Sequence, residues 1–192
     1  MSTPKRVLVH LLVCMIVICM MVASALAGEM TPLSGIPIIE DIKPLTVGDK
    51  TPTFIVEDVN GEEFDTSKRI GKSNYLMVFW SIFCEPCKEE MPLIKLLTEK
   101  YSKEEITVVA INLDGAPFRN AIKGYAKDGG FDFTFIIDEL DEEEFFKIAD
   151  PYGVAGTPTI YLVDKKGVVQ FTDVGKVKRS TLKNALDSVV GE

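Results

Sequence analysis

The longest nearly uninterrupted apolar run of this 192-residue chain lies near its N-terminus, from Val7 to Val22, and two shorter ones follow at 75–80 and 106–113. The shorter runs lack apolar–polar alternation, as expected of central strands covered on both faces. Phe54-Ile55-Val56 and a strand near Phe64 flank Asn60-Gly61, a pair that favours a hairpin turn. From Cys84 to about Tyr101, the residues Met91, Ile94 and Leu97 recur at helical spacing, with Pro92 as an expected kink. Asp114 reads as the N-cap of a helix from about Pro117 to Lys127, followed by a strand over Thr134–Ile137 and an acidic helix over roughly 141–149. Thr159–Val163 and Val168–Phe171, joined by Asp164-Lys165-Lys166-Gly167, form a second hairpin. Ser180 then caps a last helix with Leu182, Leu186 and Val189 on one face. This order predicts an α/β domain over 47–192, a central mixed sheet with helices on both sides. Residues 28–46, rich in Pro, Gly and Thr without a sustained period, read as a linker or irregular lead-in.

The first apolar run sets the compartment. Lys5 and Arg6 precede it, and Ala25-Leu26-Ala27 offers a small-x-small cleavage signal before Gly28. Residues 1–27 read as a signal peptide or as an uncleaved anchor, since the 21 residues from Val7 to Ala27 match the ~20 that cross a bilayer. On either reading the body of the chain is extracytoplasmic, in a bacterial periplasm or on the outer face of the cytoplasmic membrane. If the segment stays uncleaved, membrane contact is confined to residues 7–27. Cys14 and Cys19, inside the run, read as small hydrophobes, and neither follows the small residue of a lipoprotein cleavage site.

Without that segment 165 residues remain, enough for one domain, with 29 acidic against 19 basic residues and a net charge of −10. Such a balance argues against nucleic acid as a partner, because phosphate binding needs a basic surface. The densest acidic run, Asp138 to Glu144, reads either as a solvated helix start or as a surface for a basic partner.

The chemistry concentrates in Cys84-Glu85-Pro86-Cys87, which holds the only cysteines after the N-terminal run. A Cys-x-x-Cys pair that opens a helix after a strand reads as a dithiol/disulfide centre. Free N–H groups and the positive dipole end at a helix start favour a thiolate on the first cysteine. Two other readings stand beside this one, a plain structural disulfide and half of a zinc site. Zinc has little support, because the single histidine, His10, lies inside the apolar run, and no metal site is expected. A staple closing so short a loop would restrict the unfolded chain little.

Gly156-Thr157-Pro158-Thr159 opens the penultimate strand after a glycine-marked turn. Together with Phe79-Trp80-Ser81-Ile82-Phe83-Cys84-Glu85-Pro86-Cys87-Lys88 and Pro92, it resembles the thioredoxin superfamily, and more closely its extracytoplasmic TlpA/ResA-type branch. The resemblance covers roughly residues 45–190, including the Asn60-Gly61 hairpin and the helix and strand at 117–137. It implies a thioredoxin-like three-layer fold: a central mixed sheet flanked by helices, with an N-terminal hairpin and an inserted helix–strand element.

On that resemblance Cys84 is the attacking cysteine and Cys87 the resolving one, and Thr157-Pro158 is a cis-proline loop facing them. Thr157 and Pro158, with Trp80, Phe83, Glu85 and Pro86, would form the substrate-binding surface. Phe83 stands where the family usually has Trp, which keeps an aromatic surface and loses an indole donor. Val78 stands where ordinary thioredoxins bury an aspartate, and Glu90 is then the substitute proton acceptor; its other reading is an exposed helix carboxylate beside Glu89. The implied function is reduction of protein disulfides, such as those of apocytochrome c before haem attachment, by a monomer recharged by a membrane thiol donor. No cofactor beyond the Cys84–Cys87 disulfide is implied. A thiol peroxidase would need a Pro-x-x-x-Thr-x-x-Cys setting, which does not precede Cys84. A copper chaperone of this fold would need Cys-x-x-x-Cys and a distant His.

Overall fold

The structure, a computed structural model, describes residues 43–191. The readings of 1–27 as a leader or anchor, and of the lead-in before residue 43, lie outside the described residues.

Strands β1 (Ile55–Glu57) and β2 (Glu63–Asp65) form the small antiparallel hairpin expected around Asn60-Gly61. Its loop is organised by Asp58, whose carboxylate accepts the Asn60 and Glu62 amides at 2.7 and 3.0 Å. The main sheet holds β3 (Asn74–Trp80), β4 (Ile106–Asn112), β5 (Thr134–Ile137), β6 (Thr159–Val163) and β7 (Val169–Val174). Their order is β5-β4-β3-β6-β7, with β3, β4 and β5 parallel and β6 antiparallel to both neighbours.

Every residue of β3 and β4 is buried, which is why neither run alternates. Leu76, Val78 and Trp80 belong to one core. Tyr75, Met77 and Phe79 belong to the other. Helices α1 (Glu85–Thr98), α2 (Arg119–Asp128) and α3 (Arg179–Val190) all close the first core. They contribute Met91, Ile94 and Leu97 from α1, Ile122 from α2, and Leu182, Leu186 and Val189 from α3. The second core is closed by Ile148, Ala149, Tyr152 and Val154, by Phe64, and by the partly buried Leu45, Phe54 and Val56.

Several local expectations are corrected. The segment 141–149 is a run of turns, not a helix. Five of its amides are taken by carboxylates: Glu143 and Phe145 donate to Asp141, Phe146 to Asp150, and Ile148 and Ala149 to Asp138. A helix would have sent those N–H groups to carbonyls four residues back. Asp114 does not cap α2, which follows a 3-10 turn over Ala116–Phe118 and has no side-chain cap. Ser180 lies inside the first turn of α3, whose N-cap position is Lys178 in extended conformation. Pro92, the expected kink, lies within a continuous α1, and the second hairpin strand runs over 169–174 rather than 168–171.

Candidate active site

Topology alone gathers the site. Because β3, β4 and β5 are parallel, their C-terminal ends share one edge of the sheet, and Cys84, Asp114 and Asp138 each follow such an end. The antiparallel β6 starts at that same edge, where Phe79 pairs with Thr159. Pro158 immediately precedes this strand. The Thr157–Pro158 bond is cis.

Cys84 and Cys87 are joined in a disulfide, with their Cα atoms 5.2 Å apart. Cys84 is the N-cap of α1, and its Sγ accepts the Cys87 amide at 3.2 Å. Pro86 fits the first turn because the N–H it lacks would have no helical partner there. The two sulfurs differ in access: Cys84 is half-buried, whereas Cys87 is 1% exposed and packed into the first core. A reagent from solvent therefore meets Cys84 first. Cys84 also sits at the positive end of the α1 dipole with an amide aimed at its sulfur, both of which favour a thiolate.

Glu90 lies one helical turn beyond Cys87, on the same side of α1. It is buried, not solvated: 3% exposed, with Oε1 accepting the Val177 amide at 2.8 Å and Oε2 without a protein partner. Burial pushes its carboxyl above the usual range, opposed by the Val177 amide, with the Asp173 charge adding to the rise and Lys176 opposing it. A carboxyl in this state holds a proton more readily than a surface glutamate and can exchange it with a neighbour.

The expected substrate surface is placed unevenly. Phe83 is 69% exposed and meets Phe118 edge-on at 5.2 Å between ring centroids. Glu85 and Pro86 are exposed, and the Glu85 carboxylate pairs with Lys88 at 2.6 Å. Thr157 is half-buried and Pro158 buried. Trp80 corrects the sequence reading: it is fully buried, packed at a tilt against Tyr125 and edge-on to Phe135, and presents no surface to a substrate. A residue at the end of a central strand faces a covered layer, so its neighbourhood in sequence to Cys84 does not bring it to the surface.

Sequence reasoning missed Ser81, Asn112 and Asp114. Ser81 Oγ donates to Asp114 Oδ1 at 2.5 Å, and the Ile82 amide donates to Asp114 Oδ2 at 2.8 Å. The signal was present in Asn112-Leu113-Asp114, two polar residues closing an apolar strand at the edge where the cysteines also emerge. Among the described residues no group of three or more His, Cys, Asp and Glu side chains could hold a metal ion.

With this geometry the comparisons with known proteins agree. The Redoxin family model matches residues 46–188. The chain belongs to the Redoxin family. It is 32% identical to the thiol-disulfide oxidoreductase ResA of Geobacillus thermodenitrificans over 145 residues, 76% of this chain and 79% of that one. Identity to the ResA of Bacillus anthracis is 30% over 149 residues, 78% of this chain and 82% of that one. A Chlorobium tepidum crystal structure, assigned as a thiol:disulfide interchange protein DsbE, superimposes with a TM-score of 0.65 at 28% identity, covering 77% of this chain and 99% of that one. This Redoxin-family chain has the thioredoxin-like fold and is a thiol-disulfide oxidoreductase of the ResA/DsbE-like type.

Proposed function

We propose that the chain is an exported reductase of protein disulfides, with Cys84 attacking, Cys87 resolving and Glu90 taking part in proton transfer. One observation carries this reading: the half-buried Cys84 caps α1 while its disulfide partner Cys87 is sealed in the core. In the reduced protein the Cys84 thiolate attacks one sulfur of a substrate disulfide, and the other substrate sulfur leaves as a thiolate. Cys87 then gives up its proton, with the ionised form of the buried Glu90, its carboxylate, as the nearby acceptor, and attacks the Cys84 sulfur. The second substrate thiolate departs, leaving the substrate reduced by two electrons and the Cys84–Cys87 pair oxidised. A thiol donor at the membrane returns those electrons.

Thr157, with Phe83, Glu85 and Pro86, forms the surface on which the substrate segment lies, and the buried Pro158 supports Thr157 from behind. The N-terminal run supports export, as signal peptide or anchor, to the periplasm or the outer face of the membrane. Apocytochrome c is the substrate we assign, on the resemblance to ResA-type proteins; its haem-attachment motif is itself a Cys-x-x-Cys-His pair.

The test is the equilibrium reduction potential of the pair, with turnover of an oxidised Cys-x-x-Cys-His peptide. A reductant should lie toward the thioredoxin value of about −270 mV and release peptide thiols. A potential near the strongly oxidising value of about −120 mV, with no peptide turnover, would reverse the assigned direction.

A further inference from the structure

The segment that delivers Cys84 is four residues long, Ser81-Ile82-Phe83 and the cysteine itself, and it leaves β3 without regular structure before α1 begins. Such a loop would be free to shift unless something outside it held its backbone. Asp114, which follows the neighbouring strand β4, does so. One carboxylate oxygen accepts the Ser81 hydroxyl at 2.5 Å, and the other accepts the Ile82 amide at 2.8 Å. The Ser81 oxygen is used a second time, accepting the Phe83 amide at 3.0 Å, and the Ser81 carbonyl accepts the Cys84 amide at 3.2 Å. Each amide from Ile82 to Cys84 thus ends on Asp114 or Ser81.

Asp114 is in turn fixed from behind. Asn112 is fully buried, and its side chain binds Asp114 twice: Nδ2 donates to Oδ2 at 2.7 Å and Oδ1 accepts the Asp114 amide at 2.8 Å. The Asn112 carbonyl accepts the Asp138 amide at 2.8 Å, which ties the group to β5 as well. The chain of contacts runs from the rigid sheet through one carboxylate to the loop before the nucleophile. A glutamate would overreach this spacing, and an alanine would leave the Ile82 amide and the Ser81 hydroxyl without their partner.

We infer that Asp114 is a positioning residue for disulfide exchange: through Ser81 and the Ile82 amide it fixes the loop that sets Cys84 at the head of α1 and presents Phe83 beside it. The inference rests on the proposed role of Cys84 as the attacking sulfur. It makes a prediction opposite to that of charge alone. A carboxylate near a thiol disfavours the thiolate, so its removal by itself would make Cys84 more reactive. Loss of positioning acts the other way, since a displaced Cys84 loses the Cys87 amide and the helix terminus that stabilise its anion.

The test is alkylation of Cys84 by iodoacetamide in the reduced protein, from about pH 5 to about pH 9, in Asp114→Ala, Asp114→Asn and Ser81→Ala. Asp114→Ala should react about three- to tenfold more slowly near neutral pH, its profile displaced upward. Asp114→Asn, which keeps one acceptor and the same shape, should recover part of the rate. Ser81→Ala should slow the reaction in the same sense, and adding it to Asp114→Ala should cost less than the two singly, because both act on one loop. Ser81→Ala and Asp114→Asn carry the test should Asp114→Ala fail to fold. A profile equal to wild type in the folded variants overturns the inference, as does faster alkylation in both Asp114 variants. If instead Cys84 of the wild type is no more reactive than a free thiol, the proposed function fails, and that result is distinct from unchanged variants of a reactive wild type.

Discussion

The Glu90 carboxylate and the Val177 amide, 87 residues apart in sequence, meet in a buried hydrogen bond of 2.8 Å that ties α1 to the loop before α3. The bond satisfies only Oε1, and Oε2 faces no protein donor. A full negative charge is thus supported on one side alone, which is why burial outweighs the amide and raises the carboxyl above its ordinary value.

Glu90→Gln keeps the shape and an acceptor for Val177 while removing the charge. If Glu90 couples to the dithiol, the pH profile of thiol alkylation in the reduced variant should move toward lower pH, because a carboxylate disfavours a neighbouring thiolate. The folded wild type retains the Glu90 proton to higher pH than the unfolded chain does. Wild-type stability should therefore fall as pH rises from the ordinary carboxylate value through the raised one, and Glu90→Gln should lack that fall. Urea midpoints across this interval check the sign, and an unmoved alkylation profile would confine Glu90 to a structural role.

Asp138 offers a second titration away from the cysteines. Its carboxylate, 1% exposed, accepts the Ile148 and Ala149 amides, and burial pushes its carboxyl from 3.8 up to about 6. Between those values the folded state binds the proton and the unfolded state does not, so stability should decline as pH rises from about 4 to about 6. The shift corresponds to on the order of 2–3 kcal/mol. Urea denaturation of wild type against Asp138→Asn isolates the effect: the difference between the two should change in this window and flatten above it.

These two acids also show what could and could not be read from the chain. The central strands, the α1 face of Met91, Ile94 and Leu97, and the cysteine pair were legible because periodicity and spacing are local properties. The turns at 141–149 were not, since an acidic run suits a helix start as well as it suits carboxylates that capture backbone amides. Asp138, just past the end of β5, decides between them by taking the Ile148 and Ala149 amides. Asp114 was misread for the same reason. An aspartate before a helical stretch looks like a cap, and only the pairing of β3 with β4 shows that Ser81 lies within its reach.

Gly153 makes the contribution of the lead-in testable. It has φ of 68°, and a Cβ there would stand 2.4 Å from the Lys43 carbonyl oxygen and the Pro44 Cα. The same stretch is held by the Leu45 amide, which donates to the Tyr152 carbonyl at 3.3 Å, and by Leu45 against the second core. Gly153→Ala should therefore cost about 1–3 kcal/mol by displacing residues 43–45 and straining the backbone. An unchanged urea midpoint would show that this stretch is not part of the cooperative unit.

The assignment of unequal roles to Cys84 and Cys87 is tested most directly by trapping. Each cysteine is replaced singly by serine, the reduced variant is mixed with an oxidised Cys-x-x-Cys-His peptide, and the mixed disulfide is measured by intact mass. Cys87→Ser leaves the accessible sulfur able to attack and removes the one that would resolve, so the adduct should accumulate on Cys84. Cys84→Ser leaves only a sulfur that is 1% exposed, and should form little or none. Equal trapping by the two variants, or an adduct confined to Cys84→Ser, would contradict the account.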